Sequence, residues 1–173
     1  MLKNHYVYLL LVFLIACSTK SDKEYFEEAN KLLEQKKYGK AIESYEELVK
    51  HHSKSDLAAK ALFACGKIYQ SQLLPNIPKQ ASLNKAIQYY RELYFKYGNK
   101  PEAEKALFMI AFIQANELNL PDSAKVNYDL FLQKYPKSEL TESAKLERDN
   151  LGLSPDEILT KKLENKKNDP QKH

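Results

Sequence analysis

Three stretches decide how this chain folds: Ala41-Ile42-Glu43-Ser44-Tyr45-Glu46-Glu47-Leu48, Ala86-Ile87-Gln88-Tyr89-Tyr90-Arg91-Glu92-Leu93 and Ala124-Lys125-Val126-Asn127-Tyr128-Asp129-Leu130-Phe131. In each, tyrosine follows alanine by four residues and a large apolar residue follows the tyrosine by three. Spacing of i, i+4, i+7 puts a small, an aromatic and an apolar side chain on one helix face. The alanine admits a neighbouring helix closely, and the ring fills the gap one turn later. A partner helix precedes each stretch, carrying Tyr25, Ala29 and Leu32 in the first unit. The second has Leu62, Gly66 and Tyr69, the third Leu107 and Ala111. Lys60-Ala61-Leu62-Phe63 even returns 45 residues on as Lys105-Ala106-Leu107-Phe108. Helical hairpins recurring at such a period predict an all-α solenoid of about three hairpins. With only four glycines against twelve tyrosines and seven phenylalanines, the composition favours helices packed through large rings over phosphate-cradling loops.

These residues resemble the tetratricopeptide repeat over Ser21 to about Gly152, and the third unit adds a closing proline, Pro136. The first two units end in His51-His52-Ser53 and Tyr97-Gly98 and lack that proline. The second hairpin is lengthened around Gln72–Gln80, where Leu73, Leu74 and Ile77 offer a further apolar contact surface. The repeat domain is placed at 23–152. Leu140, Ala144 and Leu151 extend an apolar stripe into a seventh helix within Ser138–Asn150, as a terminal cover for the stack. Ser154-Pro155-Asp156-Glu157 is a capping box opening a short helix over 153–164. Residues 165–173, lysine-rich and without an apolar side chain, are expected to be mobile.

The first sixteen residues are a different polymer. Lys3 precedes an unbroken apolar run of eleven residues, Tyr6–Ala16, too short to span a bilayer and suited to a secretory signal peptide over 1–16. Leu14-Ile15-Ala16-Cys17 resembles the lipobox of bacterial lipoproteins. That resemblance implies cleavage before Cys17, acylation of its sulfur and a further acyl chain on the new amine, leaving 17–22 as a lipidated tether. Two or more chains anchor durably where one binds marginally. Ser18 stands where an inner-membrane retention signal would put aspartate, so the expected location is the outer membrane, facing the periplasm. Removal of 1–16 takes Lys3 and no acid, leaving the mature chain one charge below the formal +4. So mild a balance gives no footprint for nucleic acid. Cys65, the second of two cysteines, sits in an apolar stripe and is expected in the core.

Catalytic chemistry finds little to use. His51-His52 are adjacent at a turn and diverge, and no nucleophile has a histidine and an orienting acid in sequence context. The expectation is a non-enzyme with no metal, no cofactor beyond the lipid on Cys17, and no small-molecule substrate. The tetratricopeptide resemblance implies that the first helices line a concave protein-binding groove. Its inward offsets fall on Lys23 and Phe26, Lys60 and Phe63, and Lys105 and Phe108, with Asn30, Lys67, Phe112 and Asn116 further along. Ammonium groups beside rings suit a partner segment with apolar and acidic residues. Relatives that capture a C-terminal carboxylate want lysine where Phe26 stands and asparagine where Ala64 stands, so that mode is not implied.

A lipobox joined to such hairpins resembles the lipoprotein subunit of the outer-membrane β-barrel assembly machinery and the periplasmic coordinator associated with the Tol–Pal system. The resemblance implies a lipid-anchored scaffold binding other envelope proteins, in outer-membrane protein assembly or envelope organisation. The alternative is a structural spacer or peptidoglycan-associated lipoprotein whose basic tail meets wall polymers.

Overall fold

The computed structural model describes residues 19–167; the expected signal peptide, Cys17 and the last six residues lie outside that range. The described residues form eight α-helices: α1 (Asp22–Glu34), α2 (Tyr38–His51), α3 (Asp56–Gln70), α4 (Lys79–Lys96), α5 (Pro101–Phe112), α6 (Pro121–Lys134), α7 (Thr141–Asp149) and α8 (Pro155–Lys167). A π-helical turn, Ile113–Glu117, prolongs α5. Helices pair as α1/α2, α3/α4 and α5/α6, each pair packing on the next, and α7 closes the last face.

Each hairpin is held by one repeated contact. Ala41, Ala86 and Ala124 are fully buried, and so, or nearly so, are Tyr45, Tyr90 and Tyr128 one turn later. The first helix of each hairpin carries a small buried residue, Ala29, Gly66 or Ala111, and Gly66 faces the Tyr90 ring directly. The glycine has a steric reason, because a Cβ at Gly66 would stand 2.5 Å from Cε1 of Tyr90. Leu48, Leu93 and Phe131 complete the stripe, each with no exposed surface.

Helix ends follow local chemistry. Ser21 caps α1 through the amide of Glu24, whose carboxylate accepts from the Ser21 amide at 2.7 Å. Two satisfied donors therefore start the helix at Asp22, inside the stretch expected as tether. The Ser154–Glu157 box forms as expected, and Gly152, at φ +76°, turns the chain out of α7 in the left-handed region that favours glycine. Helix α8 then runs to Lys167, so Asn165–Lys167 are helical where a mobile tail was expected. The lengthened loop between α3 and α4 is not a free apolar surface: Leu73 and Leu74 pack on the core shared by the first two hairpins and α5.

Candidate functional site

The phenylalanines of the lysine–phenylalanine row sit inside their hairpins, half-buried. Phe26 meets Tyr45 at 5.5 Å between ring centroids, Phe63 meets Tyr90 at 5.4 Å, and Phe108 meets Tyr128 at 5.8 Å. Much of what the row encodes is therefore packing of the first helix on the second. Phe108 also meets Phe131 edge-on at 5.8 Å and stacks with Phe112 at 6.4 Å. Only the outer parts of these rings remain for a partner.

The position one turn beyond each phenylalanine differs among hairpins. Asn30 accepts a hydrogen bond from the Tyr45 hydroxyl at 2.6 Å, so its side chain is committed to the hairpin. In the second hairpin that position is Lys67, and Gln70 takes over as acceptor for Tyr90 at 2.9 Å. In the third it is Phe112, and the buried Tyr128 hydroxyl has no hydrogen-bond partner. Burial pushes the Tyr45 phenol up to about 12 and raises Tyr90 and Tyr128 as well. Asn116, on the π-helical turn, donates to Glu147 of α7 at 3.1 Å and so ties the covering helix to the stack.

Charge on the first-helix face is unevenly used. Lys23 lies 3.7 Å from Glu27. Lys60, Lys67 and Lys105 are exposed, and none has an ion-pair partner among the described residues. Phe63 and Lys67 share a cleft of about 490 Å³ with Gln70, Ser71, Tyr90, Met109 and Glu117. Glu117 is tied to Lys79 of α4 at 3.4 Å. A second cleft, about 580 Å³, lies between the π-helical turn and the α7–α8 segment and takes in Asn116, Leu146 and Ile158. The predicted residues thus separate: Phe63 and Lys67 meet in one cleft, Asn116 lies in another, and Lys60 and Lys105 line neither.

Gln70 escaped the sequence reading although it sits seven residues after Phe63, a spacing that shares a helix face. Glu117 had no such signal, because the π-helical turn alters the residue register that carries it into the cleft.

The remaining reactive types are occupied structurally. His51 stacks on Tyr25 with ring planes 6° apart and bonds Glu47, whereas His52, tilted 55° to the same Tyr25 ring, donates to the carbonyl of Lys20, so each imidazole has its own structural partners. Cys65 is buried, which pushes its thiol up and away from the reactive thiolate. Among the described residues no three His, Cys, Asp or Glu side chains gather as a metal site, and no described helix is long and apolar enough to cross a membrane.

Comparison with protein families matches residues 105–138 to the tetratricopeptide repeat, a protein-interaction module. The match covers α5 from Lys105 onward, the π-helical turn and α6 with the following turn. No curated protein matches the chain. With a matched repeat in its third hairpin and the same alanine–tyrosine contact in the other two, the chain is an all-α, tetratricopeptide-like helical solenoid.

Proposed function

We propose that this chain is a lipid-anchored scaffold at the periplasmic face of the outer membrane, holding envelope proteins through the first-helix face of its hairpins. The observation that carries the reading is the set of exposed lysines Lys60, Lys67 and Lys105, without ion-pair partners among the described residues, on the face that carries Phe63 and Phe108. Such a surface takes an extended or helical segment with acidic residues flanking apolar ones. Leu14–Cys17 supports the anchor, and the tetratricopeptide match supports the kind of partner. Envelope organisation, including outer-membrane protein assembly, is the setting such an anchored module suits.

Charge reversal tests the groove without disturbing the core. Lys60→Glu with Lys105→Glu alters two solvated heads, so the melting temperature should barely move. Crosslinked pull-downs from intact envelopes should lose the principal partners, and residual binding should show a weaker salt dependence. Recovery of the same partners at the same yield removes the first-helix face as the binding surface.

A further inference from the structure

The chain is fastened to its fold almost as soon as it leaves Cys17. His52 donates to the main-chain carbonyl of Lys20 at 2.7 Å, and the Lys20 ammonium meets Glu28 at 2.6 Å. Ser21 is already a helix cap. From Cys17 to Lys20 are three residues, which reach about 10 Å at full extension. An acyl anchor at Cys17 therefore leaves no slack for the solenoid to stand away from the bilayer.

Hairpin geometry decides what lies beside that anchor. The chain enters α1 on the edge that also carries every turn between hairpins: α2–α3, α4–α5 and α6–α7. Hydrogen bonds stitch these turns into one rim. Ser55 donates to Asp22, Tyr97 donates to the Ser53 carbonyl at 2.9 Å, Lys100 pairs with Asp56, and Ser138 donates to Glu104 at 3.0 Å. Several carboxylates of the rim are thereby engaged within the protein. Lys54 and Lys137, like Glu102 and Glu139 on the same turns, have no ion-pair partner among the described residues, and Phe95, in the last turn of α4, is 77% exposed. Exposed lysines and an exposed ring along one edge are side chains that a membrane–water interface accommodates. The turns within hairpins, α1–α2 and α3–α4, lie at the opposite edge, about 20 Å away along helices of this length.

We propose that the inter-hairpin rim, with Lys54, Phe95 and Lys137 on it, is the face that lies against the phospholipid headgroups of the leaflet holding the anchor. This rests on the lipid anchor at Cys17 and goes beyond it, because an anchor on a long tether would leave every face free. With the rim on the lipid, the helices stand roughly along the membrane normal. The first-helix groove then opens sideways, towards partners held at the same surface.

Depth-dependent quenching tests the orientation. The acylated full chain would carry a single environment-sensitive fluorophore at Ser53→Cys or Asn99→Cys on the rim, or at Gln35→Cys or Asn76→Cys on the opposite edge. Cys65 is buried and stays unlabelled in the native protein. The probe membrane is a phosphatidylethanolamine–phosphatidylglycerol vesicle containing a lipid spin-labelled near the headgroup. Rim positions should be quenched at least twofold more than opposite-edge positions. Equal quenching at the two edges, with mass spectrometry showing acylated Cys17, overturns the orientation and leaves the anchor standing. An unmodified Cys17 in the mature protein overturns the anchor and the orientation together.

Discussion

Three tyrosines hold equivalent places in three hairpins, yet their hydroxyl groups are satisfied differently. Tyr45 donates to Asn30 and Tyr90 to Gln70, while Tyr128 is buried against Phe108 with its hydroxyl unpaired among the described residues. A buried hydroxyl without a partner forfeits its bonds to water and gains none in the fold. Tyr45→Phe should therefore destabilise by about 1 kcal/mol, because it strands the Asn30 amide as well as losing a bond. Tyr128→Phe removes an unsatisfied group at constant shape and should leave stability unchanged or raise it. Paired urea melts check the contrast, and equal losses at the two sites would mean that Tyr128 has a partner. The sequence showed the rings and their spacing. It did not show which hydroxyl would lack an acceptor, since that depends on what faces the ring from the first helix.

At the scale of the element, the hairpin contact makes a second prediction. Ala86 and Ala124 have no exposed surface and sit one turn before a buried tyrosine. Leucine at either place forces the helices apart or the ring off its rotamer, at a cost of roughly 1–3 kcal/mol. Lys85, next to Ala86 but exposed, should tolerate alanine within about 0.5 kcal/mol. Thermal melts that fail to separate Ala86→Leu from Lys85→Ala would show that the buried face lies elsewhere. Periodicity made this face readable, because burial on a helix repeats with the turn. The π-helical turn at Ile113–Glu117 was invisible to the same reading, since it breaks the period on which the reading depends. The capping box at Ser21 was missed for another reason. The expected tether runs to residue 22 and takes in Ser21, although Ser21 and Glu24 have the spacing of a capping box.

Across the whole molecule the buried phenols couple stability to alkaline pH. Tyr45 titrates at about 12, and burial raises Tyr90 and Tyr128 also, whereas an unfolded tyrosine ionises near its ordinary 10.0. Between those values the unfolded chain loses its phenolic protons while the folded one keeps them, which favours unfolding. The contribution of these groups is whole below pH about 10 and is lost as pH rises through the folded values. The melting temperature should thus fall steadily between pH 10 and 12, and in that window the wild type should fall more steeply than Tyr45→Phe. Parallel slopes would show that Tyr45 is already ionised in the folded state.

Sequence alone determined the helical class, the hairpin repeat, the buried alanine–tyrosine face and the terminal cover. Each depends on spacing along one chain, and helix geometry converts such spacing into a face without further information. It also supplied the lysines, the phenylalanines and the short interval after Cys17. Only the tertiary structure decided how these are used. Folding turned the phenylalanines into hairpin fillers, placed Phe63 and Lys67 in one cleft and Asn116 in another with Lys60 and Lys105 in neither, and brought Lys20 onto His52 to form the edge of a rim. Those outcomes depend on distances between residues far apart in the chain, which are set by the stacking of one hairpin on the next.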